Sequence, residues 1–227
     1  MVKQGVIAFD MDGVLVEVGD SYRETIVQTV AHFSGTNITR DQIQVYKNAG
    51  GWNNDWALSQ KILADLGHDI EYTEVVDRFN KLFLGENGQP GLIARERWIA
   101  RDGLLDRLAA RFHLAIFTGR MRYEADVTLN RFTQPCPFDP IICSDHVTNP
   151  KPHPEGLFTI QAALPGQSIW YLGDTVDDAR SARAAGVPFI GVVARDHSRR
   201  GDVIRLFEQE QAIAIIDEVN DLEQVLP

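Results

Sequence analysis

Two carboxylates one residue apart, Asp10 and Asp12, close the apolar run Val6-Ile7-Ala8-Phe9 and are followed at once by Gly13. The run is too short for a globular helix and reads as a buried strand that delivers both acids to a loop. Side chains alternate along an extended backbone, so Asp10 and Asp12 share one side of the strand end, a few ångströms apart. Carboxylates that close do not both stay ionised without a cation. The pair therefore implies a cation or a catalytic task, although an isolated D-x-D-G also fits a simple aspartate-rich turn.

The elements that must position these acids are legible further along. From Gly103 helix and strand alternate: Leu104 to Arg111 reads as helix, His113 to Phe117 as strand, Met121 to Arg131 as helix, Asp139 to Cys143 as strand. Glu155 to Ala163 (helix), Ser168 to Leu172 (strand), Thr175 to Ala185 (helix), Val187 to Val193 (strand), Asp202 to Gln209 (helix) and Ala212 to Ile216 (strand) follow, with Glu218 to Leu226 as a closing helix. Such alternation builds right-handed crossovers and a doubly wound parallel sheet, an α/β fold with helices on both faces. Between the first strand and about Arg97 no convincing strand occurs. That stretch holds four helical patterns: from Asp20 or Ser21 through His32, from Thr39 or Asp41, from Asn53-Asn54-Asp55 to a stop at Gly67, and from Glu71 to Leu84. Residues 18–97 thus read as an inserted α-helical cap, and 1–17 with 98–227 as a Rossmann-like catalytic core.

In open parallel sheets ligands sit beyond the carboxyl ends of the strands. The polar residues predicted there are Asp10 and Asp12, then Thr118-Gly119-Arg120, then Gly173-Asp174 through Asp178, joined by Lys151-Pro152 from the loop before the Glu155 helix. Magnesium takes hard oxygen ligands and keeps several waters, so Asp10 and Asp174 suit Mg2+ with no histidine or cysteine. Taken singly, Thr118 also fits a helix cap, Lys151 a solvated loop lysine and Asp177 an acid at a helix start. Their joint placement at one edge favours a shared site.

With those residues in place, the chain resembles the haloacid dehalogenase superfamily, within it the phosphatases of subfamily I with a helical cap. Asp10-Met11-Asp12-Gly13-Val14, Phe117-Thr118-Gly119-Arg120, Lys151-Pro152-His153-Pro154-Glu155 and Gly173-Asp174 with Asp178 are similar to its four motifs, in order. The resemblance implies that Asp10 attacks phosphorus, that Asp12 protonates the leaving alcohol and then deprotonates water, and that Lys151 neutralises the phosphoryl group. It further implies that Thr118 and the Gly119 amide bind phosphoryl oxygens. Mg2+ would be held by the Asp10 carboxylate, the Asp12 carbonyl and Asp174, with Asp178 in support. Selectivity is expected in the insertion, where Arg23, Lys47, Asn53 and Asn54 are the candidate substrate contacts and Trp52 and Trp56 the candidate cap core. The expected activity is Mg2+-dependent hydrolysis of a small phosphorylated metabolite through an aspartyl-phosphate. The alternatives are a phosphomutase like β-phosphoglucomutase and, in another class, a binding protein that keeps the fold without turnover.

Composition bounds the partners. Lys and Arg number 22 against 32 Asp and Glu, a net charge of −10, which argues against nonspecific binding of nucleic acid or acidic membranes. No segment reaches the apolar length of a membrane span, and the cytoplasm, as monomer or homodimer, is the expected setting. Cys136 and Cys143 are too few for a disulfide framework, and Cys143 with His146 and His153 matches no common zinc spacing. Arg195, Arg199 and Arg200 read as a solvated basic loop, with a subunit contact the alternative.

Overall fold

The structure, a computed structural model, describes residues 3–226. Its elements in chain order are β1 Val6–Phe9, β2 Val16–Glu17, α1 Tyr22–Ser34, α2 Arg40–Ala49, α3 Asp55–Asp65, α4 Tyr72–Leu84, β3 Arg97–Trp98, α5 Leu104–Arg111 and β4 His113–Phe117. They continue with α6 Arg122–Phe132, β5 Ile141–Ile142, α7 Glu155–Ala163, β6 Ile169–Gly173, α8 Val176–Ala185, β7 Phe189–Val192, α9 Arg200–Gln209 and β8 Ala214–Ile216. Two compact units result, one from residues 1–16 with 98–227 and one from residues 17–97.

In the first unit six parallel strands lie in the order β5-β4-β1-β6-β7-β8. Every residue of β1 is buried, as a central strand covered on both faces requires. Alternation divides its side chains: Val6 and Ala8 join Ala115, Phe117, Ile169 and Tyr171 in a core completed by Leu157 and Ile160 of α7, Ala179 and Ala182 of α8 and Phe207 of α9. Phe9, on the other face, meets Phe138 edge-on at 5.8 Å between ring centroids. From β1 the chain builds outward through β4 and β5 on one side and β6, β7 and β8 on the other. The direction of winding therefore switches beside β1, and at such a switch the loops leave a crevice beyond the strand ends.

The second unit is the helical insertion. Its helices start where the side chains can satisfy backbone donors: Thr39 caps α2 through a reciprocal box with Gln42, and Asn54 accepts from the Ala57 amide at the start of α3. Tyr22, Phe79 and Phe83 form its aromatic centre, with Tyr22 and Phe83 4.0 Å apart, and Trp56 stands edge-on to Phe79 at 6.4 Å. Trp52 instead meets Tyr46 on α2.

Four differences from the sequence reading have local causes. The closing segment is a 3-10 helix, Val219–Gln224, because its buried anchors Val219 and Leu222 are three residues apart, a spacing that a 3-10 turn eclipses. A second 3-10 turn, Leu92–Arg95, follows the glycine-rich loop. β2 and β3 form a two-stranded sheet of two residues each, too short to leave a period in the sequence. Glu17 groups with residues 17–97, one position before the boundary that the sequence predicts. The basic loop is neutralised at home: Arg195 and Arg200 lie 2.5 and 2.6 Å from the two oxygens of Asp217, and Arg199 lies 3.3 Å from Asp202. No helix among the described residues is long and apolar enough to cross a membrane.

Candidate active site

The loop after β1 is wound around one carbonyl, Met11 O, which accepts from the amides of Val14, Leu15 and Val16. Gly13 makes the turn possible with φ of 72°, and a Cβ on it would run into the Asp174 carboxylate. A glycine is thus what lets the β1 loop approach the loop after β6. The Asp10 amide, donating to Leu172 O at 2.8 Å, ties the first acid to the same neighbour.

At this edge Lys151 is buried between two acids. Its Nζ lies 3.0 Å from Asp10 Oδ1 and 2.7 Å from Asp178 Oδ1, and its side chain is 1% exposed. The ammonium also stands over two aromatic faces, 4.8 Å from the Phe117 ring centroid and 5.4 Å from that of Tyr171, where the ring quadrupoles favour a cation. Burial pulls the Lys151 pKa down, but the charges of Asp10 and Asp178 outweigh it and hold the ammonium above the ordinary lysine range. Asp178 is opposed by burial too, yet Lys151, Thr175 and Tyr171 keep its carboxyl below the usual range. Asp10 goes the other way: burial pushes it up to about 7, with Lys151 lowering it and the charges of Asp178 and Asp12 raising it further.

Asp178 is engaged on both oxygens. Oδ1 accepts from the Tyr171 hydroxyl at 2.8 Å and faces Lys151, while Oδ2 accepts from the Thr175 amide at 3.0 Å and hydroxyl at 2.6 Å. The Thr175 hydroxyl returns the bond as N-cap of α8. Tyr171 also reaches Phe117 O at 3.0 Å, so one phenol on β6 stands between the end of β4 and the first turn of α8.

One carboxylate oxygen from each of Asp10, Asp174 and Asp178 lies within 4.8 Å of the others. The donor set is all hard oxygen, and two of the three acids, Asp10 and Asp178, are buried. Those features suit Mg2+. With both oxygens engaged, Asp178 fits the supporting position.

Asp12 stands beside this group with its side chain 30% exposed, held by the buried Arg120, whose Nη2 is 2.5 Å from Asp12 Oδ1. Thr118 is buried at the end of β4, and its hydroxyl accepts from the Arg120 amide at 3.3 Å. Gly119 follows it in the same loop. The core candidates Asp10, Asp12, Thr118, Gly119, Lys151 and Asp174 are therefore on the loops and ends of β1, β4 and β6 and the segment before α7, and Asp178 is in the first turn of α8.

The four insertion candidates have their own surroundings. Lys47 is paired with Asp55 at 2.5 Å, both side chains largely buried, and the Asn54 side chain caps α3 and reaches the Tyr72 hydroxyl at 3.3 Å. Asn53 is half-buried in the loop before α3. Arg23, at the start of α1, has a buried Nη1 without a hydrogen-bond partner.

Tyr171 escapes the sequence reading, and Arg120 is placed by it at the strand ends without a role. Tyr171 was visible only as an apolar strand position, yet a phenol facing inward must find a partner for its hydroxyl. Arg120 lay beside Thr118 in a recognised motif, and an arginine that close to a buried strand end needs a carboxylate.

Comparison with known proteins gives the family. Residues 7–192 match the family described as haloacid dehalogenase-like hydrolase. The chain is 32% identical over 195 residues to an imidazoleglycerol-phosphate dehydratase of Phytophthora nicotianae, covering 82% of this chain but only 43% of that protein, so the chain spans less than half of that relative's length. It is 25% identical over 191 residues to a phosphoglycolate phosphatase of Cereibacter sphaeroides, covering 81% of this chain and 82% of that protein. In fold it is similar to the crystal structure of a predicted phosphoglycolate phosphatase from Haemophilus somnus 129pt, with a TM-score of 0.77 at 17% identity over 99% of both chains. From the match across most of its length, the chain belongs to the haloacid dehalogenase-like hydrolases.

Proposed function

We propose that the chain is a Mg2+-dependent phosphatase that hydrolyses a small organic phosphate monoester through a phosphoryl group carried on Asp10. The observation that carries this reading is the buried Lys151 ammonium set between Asp10 and Asp178, with Asp174 close by. A fixed positive charge beside a nucleophilic carboxylate is what the attack of one anion on another requires.

In the first half-reaction an Asp10 carboxylate oxygen bonds to phosphorus as the bond to the leaving oxygen breaks, and the leaving alkoxide takes a proton from Asp12. In the second, water attacks phosphorus, Asp12 takes a proton from that water, inorganic phosphate departs and Asp10 is restored. Lys151 balances charge on the transferring group in both halves, and Thr118 with the Gly119 amide holds its oxygens. Mg2+, held by Asp10, Asp174 and the Asp12 carbonyl, would supply electrostatic neutralisation of the phosphoryl oxygens. Asp178 fixes Lys151 from behind.

The phosphatases among the relatives make 2-phosphoglycolate the first substrate to test. Of the insertion residues, Arg23 is retained as the selectivity candidate because its Nη1 lacks an acceptor, whereas Lys47 and Asn54 are engaged within the insertion. Phosphate release from a panel of sugar, acid and nucleotide phosphates should require Mg2+ and should vanish in Asp10→Asn. Turnover that survives in Asp10→Asn would remove the nucleophile. In Arg23→Gln the KM for the preferred acidic substrate should rise by roughly tenfold, the effect of losing one charged hydrogen bond, and an unchanged KM would strike Arg23 from the site.

A further inference from the structure

The mechanism asks Asp12 to present a proton at one place and collect one at the same place, yet its loop is short and its side chain partly exposed. A carboxylate in that setting samples several rotamers unless something holds it. Arg120 is built to do so. Its Nε donates to Asp12 Oδ1 at 2.7 Å and its Nη2 lies 2.5 Å from the same oxygen. Its Nη1 donates to Thr128 Oγ1 at 2.7 Å, and Thr128 is buried on α6. The main chain of Arg120 is fixed as well: its carbonyl accepts from the Ser144 amide at 2.9 Å and its amide donates to Thr118 Oγ1 at 3.3 Å.

The guanidinium is thus anchored from α6 while its main chain is held within its own loop, and both of its contacts to Asp12 fall on one oxygen. A buried arginine of this kind is costly unless its donors are used, and here two of them converge on Asp12 Oδ1 and hold that oxygen in place. We propose that Arg120, anchored by Thr128, is the positioning residue for Asp12, restraining Oδ1 so that Oδ2 is the atom that carries the proton to and from the reacting oxygens. The inference rests on the phosphatase reading, because it is about Asp12 as acid and base.

The leaving group separates this role from a merely structural one. Nitrophenolate departs from 4-nitrophenyl phosphate without needing a proton, whereas an alkoxide such as that of 2-phosphoglycolate needs one. Full-length Thr128→Val and Arg120→Lys proteins, with Mg2+, would be studied by rapid quench for alcohol or phenol released in the first turnover. Thr128→Val removes the anchor at nearly constant volume and keeps the charge, so it serves even if Arg120→Lys does not fold. The expected result is a first-turnover rate on 2-phosphoglycolate lowered by about tenfold to a hundredfold, the cost of a misplaced catalytic group. The rate on 4-nitrophenyl phosphate should stay within about twofold and KM for both should be unchanged. Equal losses on both substrates, or no loss on either, would overturn the assignment. Asp12→Asn is the control on the underlying reading: if it too fails to discriminate between leaving groups, Asp12 is not the acid, whatever Arg120 does.

Discussion

Lys151 keeps its charge in surroundings that would strip it from a lone lysine, because two carboxylates and two ring faces surround the ammonium. Tyr171 holds this arrangement through Asp178, and Tyr171→Phe tests it by removing one oxygen. Removing the one proton that Phe117 O and Asp178 Oδ1 share should cost about 1–3 kcal/mol of stability. It should also lower kcat by roughly three- to tenfold through displaced charge, with KM unchanged; a stability loss with kcat intact would limit Tyr171 to folding. Asp10, raised to about 7 by burial first of all, makes the site pH-sensitive. In metal-free protein the folded state holds a proton on Asp10 that the unfolded chain has already lost above the ordinary carboxylate range. Stability from this group is therefore full in acid and lost as pH climbs through about 7. Asp178, with its lowered pKa, acts in the opposite sense, contributing above the ordinary range and losing its effect on acidification. If Asp10 is a ligand of Mg2+, as proposed, the ion displaces the Asp10 proton and its apparent affinity should fall by roughly tenfold per pH unit below 7. Thermal shifts on adding Mg2+ at pH 5.5 and at pH 8 would measure this, and equal shifts would count against Asp10 as a ligand.

At the scale of elements, the site depends on loops that are drawn together more tightly than side chains allow. At Gly13 the β1 and β6 loops approach so closely that a Cβ would meet the Asp174 carboxylate. Gly13→Ala should abolish Mg2+-dependent turnover while the sheet persists, read as unchanged far-ultraviolet circular dichroism beside lost activity; retained activity would mean that the loop can retreat without cost. Elements with a strong period were legible in the sequence: β4, α5 and α7 have the bounds that apolar spacing and flanking turn residues predict. The 3-10 turns and the two-residue strands were not, because a turn and a half or a single rung leaves no periodic trace. For the site, acids at strand ends could be read from position alone. The bonds of Arg120 to Asp12 and of Tyr171 to Phe117 O join residues 108 and 54 positions apart, and no local pattern encodes them.

For the molecule as a whole, the two thiols report on separate levels of order. Cys136 is exposed, whereas Cys143 is buried and its pKa is pushed up to about 12, by burial chiefly. One thiol should therefore react promptly with an aromatic disulfide reagent in native buffer, and the second should react only as fast as the core opens. Two prompt thiols would mean that the region around β5 is looser than its packing implies. The short sheet of β2 and β3 bears on the whole molecule too. Because the strand that leaves the core and the strand that returns are bonded neighbours, residues 17–97 amount, for the six-stranded sheet, to one long excursion that begins and ends at the same spot. Such a junction is a socket: what is plugged into it can be lengthened, shortened or exchanged while the chemistry at the strand ends stays where it is, so one hydrolytic engine can be refitted for new substrates without being rebuilt.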